Sequence, residues 1–129
     1  MSERCILIVE AEELVRSPLA QYLRECGYHV LEAVNADEAR RLLEDGERRV
    51  DIVLAEVGAR GYRGFELSTW IKQSYPDIAV ILAGTVAKAT EKAGDLCDEG
   101  PVSKPYDHRI VLNRIRRLLA ARVRSGQDD

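Results

Sequence analysis

The sequence has few of the residues that build disulfide frameworks, metal sites and membrane spans. Its three cysteines, Cys5, Cys26 and Cys97, are odd in number and widely spaced, which favours unpaired thiols in a reducing cytosol. Its two histidines, His29 and His108, stand far apart, so we expect no histidine metal site. The first apolar run is too short for a signal peptide or a membrane span. We therefore expect a cytoplasmic protein.

Neither positive nor negative charge is in large excess. The chain carries 19 Lys and Arg against 22 Asp and Glu, a formal net charge of -3, so no overall field attracts nucleic acid or a membrane. Six arginines fall on the last predicted helix: Arg109, Arg114, Arg116, Arg117, Arg122 and Arg124. Such a run is usually a solvated face, and no recognition motif accompanies it. We predict neither a nucleic-acid partner nor a membrane partner.

The apolar segments of this 129-residue chain predict one α/β domain with a single core. Continuous or weakly alternating apolar runs, typical of buried strands, occupy residues 5–9, 29–33, 51–55 and 78–83, and Val102 marks a short fifth strand. Segments with helical spacing lie between and after them, the one at residues 85–99 being weakly anchored. Five strands alternating with five helices predict a doubly wound parallel sheet with right-handed crossovers.

Two helix starts have local signals. Asn35 followed by Glu38 has the spacing of a reciprocal N-cap for the second helix. Pro18 is tolerable in the first helix if that helix begins near Leu14, because the first turn has no internal N–H bonds to lose. This interpretation assigns Pro18 to the first turn.

Polar residues follow the predicted strands where each one ends. In open parallel sheets, ligands bind beyond the carboxyl ends of the strands, at the point where strand order reverses. The residues expected there are Glu10, Ala11 and Glu12 after the first strand, Glu56 after the third, Gly84 after the fourth and Lys104 after the fifth. The spacing thus predicts a crevice that holds carboxylates and one lysine.

Four motifs of this chain resemble those of receiver domains of two-component response regulators, the CheY-like family. They are residues 6–16, residues 51–57 with 64–67, residues 79–83 and residues 102–107, in the family's order. The resemblance covers residues 4–122, and residues 123–129 are expected to form a flexible tail. It implies a flavodoxin-like five-stranded sheet of order 2-1-3-4-5 with five helices, and a role in phosphorelay signal transduction.

The resemblance also implies a chemistry that this chain only partly retains. In the family, two acids after the first strand help hold Mg²⁺, and an aspartate after the third strand accepts a phosphoryl group. Here Glu10 keeps the first acid, Ala11 replaces the second, and Glu56 stands at the accepting position. Its extra methylene moves the carboxylate by about one bond, and a misplacement of ~1 Å can cost ~10²-fold in rate.

The switch positions implied by the resemblance are altered as well. Gly84 takes the place of the family's Ser or Thr, and Thr85 could substitute only if the loop shifts by one residue. Pro101 stands where the family has a switching aromatic, and only Lys104 is retained. We therefore expect a pseudo-receiver that is not an enzyme and lacks ordinary aspartyl phosphorylation. It would contact a protein partner, either a histidine kinase or a downstream signalling protein, through the last helix and fifth strand, with a homodimer as a further option.

Other interpretations remain open. Glu56 could be a working phosphoacceptor with unusual chemistry, or it could pair with Lys104 and partly resemble the phosphorylated state. Residual Mg²⁺ binding by Glu10, Glu56 and the Gly58 carbonyl is expected to be weak, because position 11 has no acid. A flavin or nucleotide binder is disfavoured, since the glycine-rich loop at residues 58–64 does not precede a lysine-serine pair.

Overall fold

A computed structural model describes residues 4–46, 48–56, 63–84, 102–103 and 108–124. Its strands are β1 (Cys5–Val9), β2 (His29–Ala33), β3 (Ile52–Glu56), β4 (Ala79–Gly84) and β5 (Val102–Ser103). Its helices are α1 (Glu13–Glu25), α2 (Ala36–Asp45), α3 (Arg63–Ser74) and α4 (His108–Arg124). The strands form one sheet in the order β2-β1-β3-β4-β5, and each pairing is parallel. The predicted doubly wound fold and strand order are confirmed.

The central strands are apolar throughout because both faces of the sheet are covered. Alternate residues of β1 enter two different cores: Leu7 and Val9 pack in the cluster shared with α2 and α3. Ile6 and Ile8 pack in the cluster shared with α1 and α4. These four side chains are at most 6% exposed. A sheet with helices on both faces therefore accounts for the continuous runs.

The first helix contains its proline deeper than expected. Because α1 begins at Glu13, with Glu12 as its N-cap, Pro18 lies beyond the first turn. The helix begins within one residue of the expected Leu14. A start at either residue leaves Pro18 past the first turn, so the first-turn explanation does not hold. Pro18 cannot donate to the Leu14 carbonyl. Both residues are exposed, and the Leu14 side chain is 91% exposed, so water can reach this part of the helix.

The cap at the start of α2 is confirmed, with one difference in detail. The Asn35 side-chain oxygen accepts a hydrogen bond from the Glu38 N–H at 2.8 Å. The Glu38 carboxylate accepts from the Val34 N–H at 2.8 Å, one residue before the N-cap. Each side chain therefore satisfies a backbone donor at the start of the helix. At the other end, Gly46 is left-handed with φ 69°, which favours glycine.

A buried aspartate connects three strands at the edge of the sheet where they begin. Asp51 is 5% exposed, and one carboxylate oxygen accepts from the Cys5 N–H at 2.9 Å. The other oxygen lies 3.6 Å from the Arg4 guanidinium. The Asp51 backbone also bonds to Cys5 and to Ala79. Asp51 thus joins the starts of β1, β3 and β4.

The last helix extends past the predicted end of the domain. It continues to Arg124, two residues into the segment expected to be a tail. The helix expected at residues 85–99 and the segment 125–129 lie outside the described residues. Within the described ranges, no helix is both long and apolar enough to cross a membrane.

Candidate functional site

The sheet register brings the two predicted acids to the same edge. Val9 of β1 pairs with Ala55 of β3. Glu10 directly follows β1, and Glu56 is the last residue of β3. Neighbouring strands lie about 4.8 Å apart, so the two backbones are adjacent at this point. Glu56 also pairs with Ala83, the residue before Gly84. We call the edge formed by Glu10, Ala11, Glu56 and Gly84 the acidic crevice.

Glu10 is held inside the crevice by its own loop. Its side chain is 1% exposed, and one carboxylate oxygen accepts from the Glu12 N–H at 2.9 Å. Its backbone N–H donates to the Ala33 carbonyl at 2.9 Å, which extends the β1–β2 ladder by one residue. A buried carboxylate needs such donors, because an unsatisfied charge away from water is costly. The Glu10 carboxylate therefore organises the turn between β1 and α1.

Arg16 fixes the same turn from α1. Its guanidinium donates to the Glu10 carbonyl at 2.8 Å and to the Glu32 carboxylate at 2.9 Å. The second Glu32 oxygen accepts from Arg24 at 3.1 Å, and Arg24 also donates to the Val30 carbonyl at 2.8 Å. This network joins the end of β1, the middle of β2 and one side of α1. It limits how far the Glu10 backbone can move.

The remaining described members of the crevice differ in what they offer. Ala11 is exposed and has no oxygen in its side chain, although its position beside Glu10 is open to solvent. Glu56 is half-buried at the end of β3. Gly84 ends β4 and lacks a hydroxyl. Of the predicted oxygen donors, the described crevice thus retains the carboxylates of Glu10 and Glu56.

Other predicted site positions lie outside the described residues: Gly58, Thr85, Pro101 and Lys104. The structure therefore gives no distance between Lys104 and Glu56. In the part of the chain that the structure describes, no three His, Cys, Asp or Glu side chains are grouped closely enough to hold a metal ion. Glu12 is exposed and contributes its backbone N–H to the crevice.

Sequence reasoning missed the Arg16–Glu32–Arg24 network and the structural use of Asp51. The signal for the first was present as Glu32, a charged residue inside an otherwise apolar strand. The signal for Asp51 was an acid directly before a buried strand. In both cases, the partner donors come from residues far away along the chain or from the backbone. Only the packed structure shows which donor each carboxylate meets.

The fold and the crevice together define a class of protein, and comparison with known proteins agrees with it. The sequence profile of the response regulator receiver domain matches residues 6–116. The chain belongs to this family of signalling domains, which takes part in two-component signal transduction.

Two curated relatives show the extent of the match. A cyclic di-GMP phosphodiesterase from Thermotoga maritima is 29% identical over 120 residues, covering 92% of this chain and 32% of that protein. Response regulator RR06 from Streptococcus pneumoniae is 28% identical over 116 residues, covering 88% of this chain and 52% of that protein. The chain thus spans about a third to a half of these relatives' length.

Solved structures confirm the fold. A CheY-like receiver domain protein from Methanospirillum hungatei has a TM-score of 0.82 and 22% identity, covering 97% of this chain and all of that one. Response regulator TrrA from Thermotoga maritima, solved in complex with Mg²⁺ and BeF, has a TM-score of 0.77 and 24% identity. The match covers 89% of this chain and 98% of that one. At these identities the likeness shows the fold alone.

Proposed function

We propose that this chain is a receiver domain that signals through contact with a protein partner and does not undergo ordinary phosphorylation in its crevice. The main evidence for this proposal is the arrangement of Glu10 and Ala11 after β1. Glu10 is buried with one carboxylate oxygen engaged by the Glu12 N–H, and Ala11 beside it has no oxygen to give. The crevice therefore lacks the pair of free acids that the family's chemistry requires.

The accepting position supports the same proposal. Glu56 ends β3, and its side chain is one methylene longer than the family's aspartate. Attack on a phosphoryl donor needs in-line geometry, and a displacement of ~1 Å can reduce the rate by ~10²-fold. Position 56 thus keeps a carboxyl group, but the extra methylene moves it away from the acceptor geometry.

The residues described here fit Mg²⁺ poorly. This cation needs near-octahedral oxygen coordination at short distances and commonly uses one or two carboxylates with several waters. Glu10 and Glu56 could supply two oxygens, but Glu10 already accepts a backbone hydrogen bond. We expect weak binding at best, and we propose that the domain needs no cofactor and catalyses no reaction of its own.

Incubation with acetyl phosphate and Mg²⁺, followed by intact-mass analysis, tests the proposal. TrrA, whose structure contains Mg²⁺ and BeF, is the control for the reagents. We expect no phosphoryl adduct on this chain under conditions that modify the control. A stoichiometric adduct mapped to Glu56 would support the alternative, a working acceptor with unusual chemistry, and contradict our proposal.

We propose α4 and β5 as the partner surface. The exposed side of α4 combines Ile110, which is 53% exposed, with exposed Arg109, Arg116 and Arg117. Exposed apolar area among arginines is typical of protein contact surfaces. β5 is the outermost strand on this side of the described sheet. The partner would be a histidine kinase, a downstream protein or a second copy of the chain.

Amide shifts during titration with the histidine kinase of the same system can locate this surface. We expect the largest changes at Arg109, Ile110 and Arg117, with an Ile110→Arg variant showing weaker binding. Arg41→Ala, on the exposed side of α2, serves as the control and should bind as the wild type does. Changes confined to α2 would place the partner elsewhere.

A further inference from the structure

A second recess lies at the opposite edge of the sheet from the acidic crevice. It opens between the ends of α2 and α3 and the starts of β3 and β4, and its volume is about 480 Å³. Its lining includes Tyr75 and three apolar residues, Leu43, Val50 and Ile78, which we call the apolar floor. This volume falls in the range of about 300–1,000 Å³ that small-molecule sites occupy. We call this recess the basal groove.

Two arginines stand at the rim of the basal groove. Arg48 and Arg49 both line it and are both exposed. Neither guanidinium makes a hydrogen bond or ion pair with another residue that the structure describes. The charge of Arg48 also acts at the sheet edge, where it opposes the burial that raises the pKa of the Cys5 thiol. A guanidinium offers paired N–H donors that match carboxylate and phosphate oxygens.

Charges of the other sign limit the attraction at long range. Asp77 also lines the groove. The carboxyl ends of α2 and α3 face it, each equivalent to roughly half a negative charge. One α3 carbonyl, that of Ile71, is already engaged by the Tyr75 N–H. Asp77 and the two helix ends offset the charge of the two arginines, so we expect binding to come from direct guanidinium contacts and from the apolar floor.

From these features we propose that the basal groove binds a small organic anion, a carboxylate or phosphate ester with a flat apolar body. The anionic group contacts Arg48 and Arg49, and the apolar body lies against Tyr75 and the floor residue Val50. Because long-range attraction is weak, we expect a dissociation constant of about a millimolar. The site is separate from the acidic crevice and does not depend on whether Glu56 accepts a phosphoryl group.

The chain contains a built-in reporter for such binding. Its single tryptophan, Trp70, meets Tyr75 edge-on with ring centroids 5.5 Å apart. The Arg40 guanidinium lies 4.4 Å from the centre of the Trp70 ring. A ligand against Tyr75 should therefore change the fluorescence of Trp70.

Titration of the chain with phenyl phosphate, benzoate, inorganic phosphate and phenol tests the proposal. We expect saturable changes in Trp70 fluorescence with the two aromatic anions. Inorganic phosphate and phenol should bind at least about tenfold more weakly, because phosphate lacks the apolar ring and phenol lacks the anionic group. A preference between phenyl phosphate and benzoate tells which anionic group the groove selects.

Point variants test whether phenyl phosphate binds in the basal groove. Arg49→Gln should weaken binding of phenyl phosphate about tenfold, since one charged hydrogen-bonding partner is lost. Asp77→Asn should tighten it, because a competing carboxylate is removed. Arg41→Gln, at an exposed position of α2 that does not line the groove, is the matched loss of one arginine and should leave binding unchanged. Amide spectra confirm that each variant is folded, and Arg48→Gln replaces Arg49→Gln if the latter is not.

The proposal would be overturned if folded Arg49→Gln (or Arg48→Gln in its place) and folded Asp77→Asn bound phenyl phosphate as tightly as the wild type does. The absence of any saturable response to either aromatic anion, or equal responses to phenol and phenyl phosphate, would also overturn it. Failure of phosphorylation at Glu56 has no bearing on these outcomes, because the groove and the crevice lie at opposite edges of the sheet.

Discussion

At the scale of single residues, two buried carboxylates act as acceptors for backbone N–H groups. Glu10 accepts from Glu12 at the edge where the strands end, and Asp51 accepts from Cys5 at the edge where they begin. Both residues are at most 5% exposed. Such buried hydrogen bonds are costly to break, because the partner N–H is then left without an acceptor. Burial of an acid is therefore insufficient evidence for a reactive site in this molecule.

The role of Asp51 can be measured by substitution. We expect Asp51→Ala to lower the free energy of unfolding by about 2 kcal/mol, because the buried Cys5 N–H loses its acceptor. Arg4→Ala removes the other partner, whose side chain is 29% exposed, and should cost less than about 1 kcal/mol. Urea unfolding of the two variants checks this order. Equal losses would mean that the ion pair, and not the backbone hydrogen bond, dominates.

Cys5 should make stability depend on alkaline pH. Burial raises the pKa of this thiol above the ordinary 9.0; Asp51 adds to the increase and Arg48 opposes it. The folded state thus keeps the proton to higher pH than the unfolded state. The resulting stabilisation is fully present below about pH 9 and is lost as the pH rises through the folded pKa. Stability of the wild type should fall more steeply there than that of Cys5→Ala, and parallel curves would contradict this assignment.

At the scale of elements, α2 shows how local signals and packing combine. The start of the helix is set by the Asn35 side chain, which accepts from Glu38, and its end by left-handed Gly46. Between them, Ala39 and Leu43 enter the core on the α2–α3 side of the sheet. The local signals determine where the helix begins and ends, and the buried residues determine which side faces the sheet.

The α2 cap provides a second stability prediction. Asn35→Ala removes the acceptor for the Glu38 N–H and should lower the free energy of unfolding by about 1 kcal/mol. Arg41→Ala, at an exposed position within the same helix, should change it by less than about 0.5 kcal/mol. Thermal and urea unfolding of both variants measure the difference. A neutral Asn35→Ala would show that tertiary packing alone holds this end of the helix.

At the scale of the whole molecule, the fold depends on positions other than those that determine the crevice chemistry. The sheet order requires apolar residues on both faces of the central strands, and Leu7, Ile8 and Leu54 supply them. The crevice residues stand at the strand ends or just beyond them, and none of them belongs to either core cluster. The family's architecture can therefore persist whichever residues occupy positions 11 and 56.

The fold was largely predictable from the sequence because its signals are local or periodic. Buried runs such as residues 5–9, and the Asn35 cap, each have a short-range cause. The crevice was predictable only as a set of positions, since parallel strands end at one edge of a sheet. What each side chain contacts depends on distant partners, as with Arg16 and Glu32, which no local pattern connects. The start of α1 was predicted to within one residue, but the first-turn explanation for Pro18 fails because Pro18 is the sixth residue of the helix.

An NMR titration of the chain with Mg²⁺ and beryllofluoride shows whether the acidic crevice has lost the family's phosphoryl chemistry. The double variant Ala11→Asp with Glu56→Asp is the matched comparison, because it restores the second acid and the shorter acceptor. We predict saturable shifts around Glu10 and Ala83 in the double variant and none in the wild type. Saturable shifts in the wild type, at the same reagent concentrations and centred on Glu56, would contradict our account.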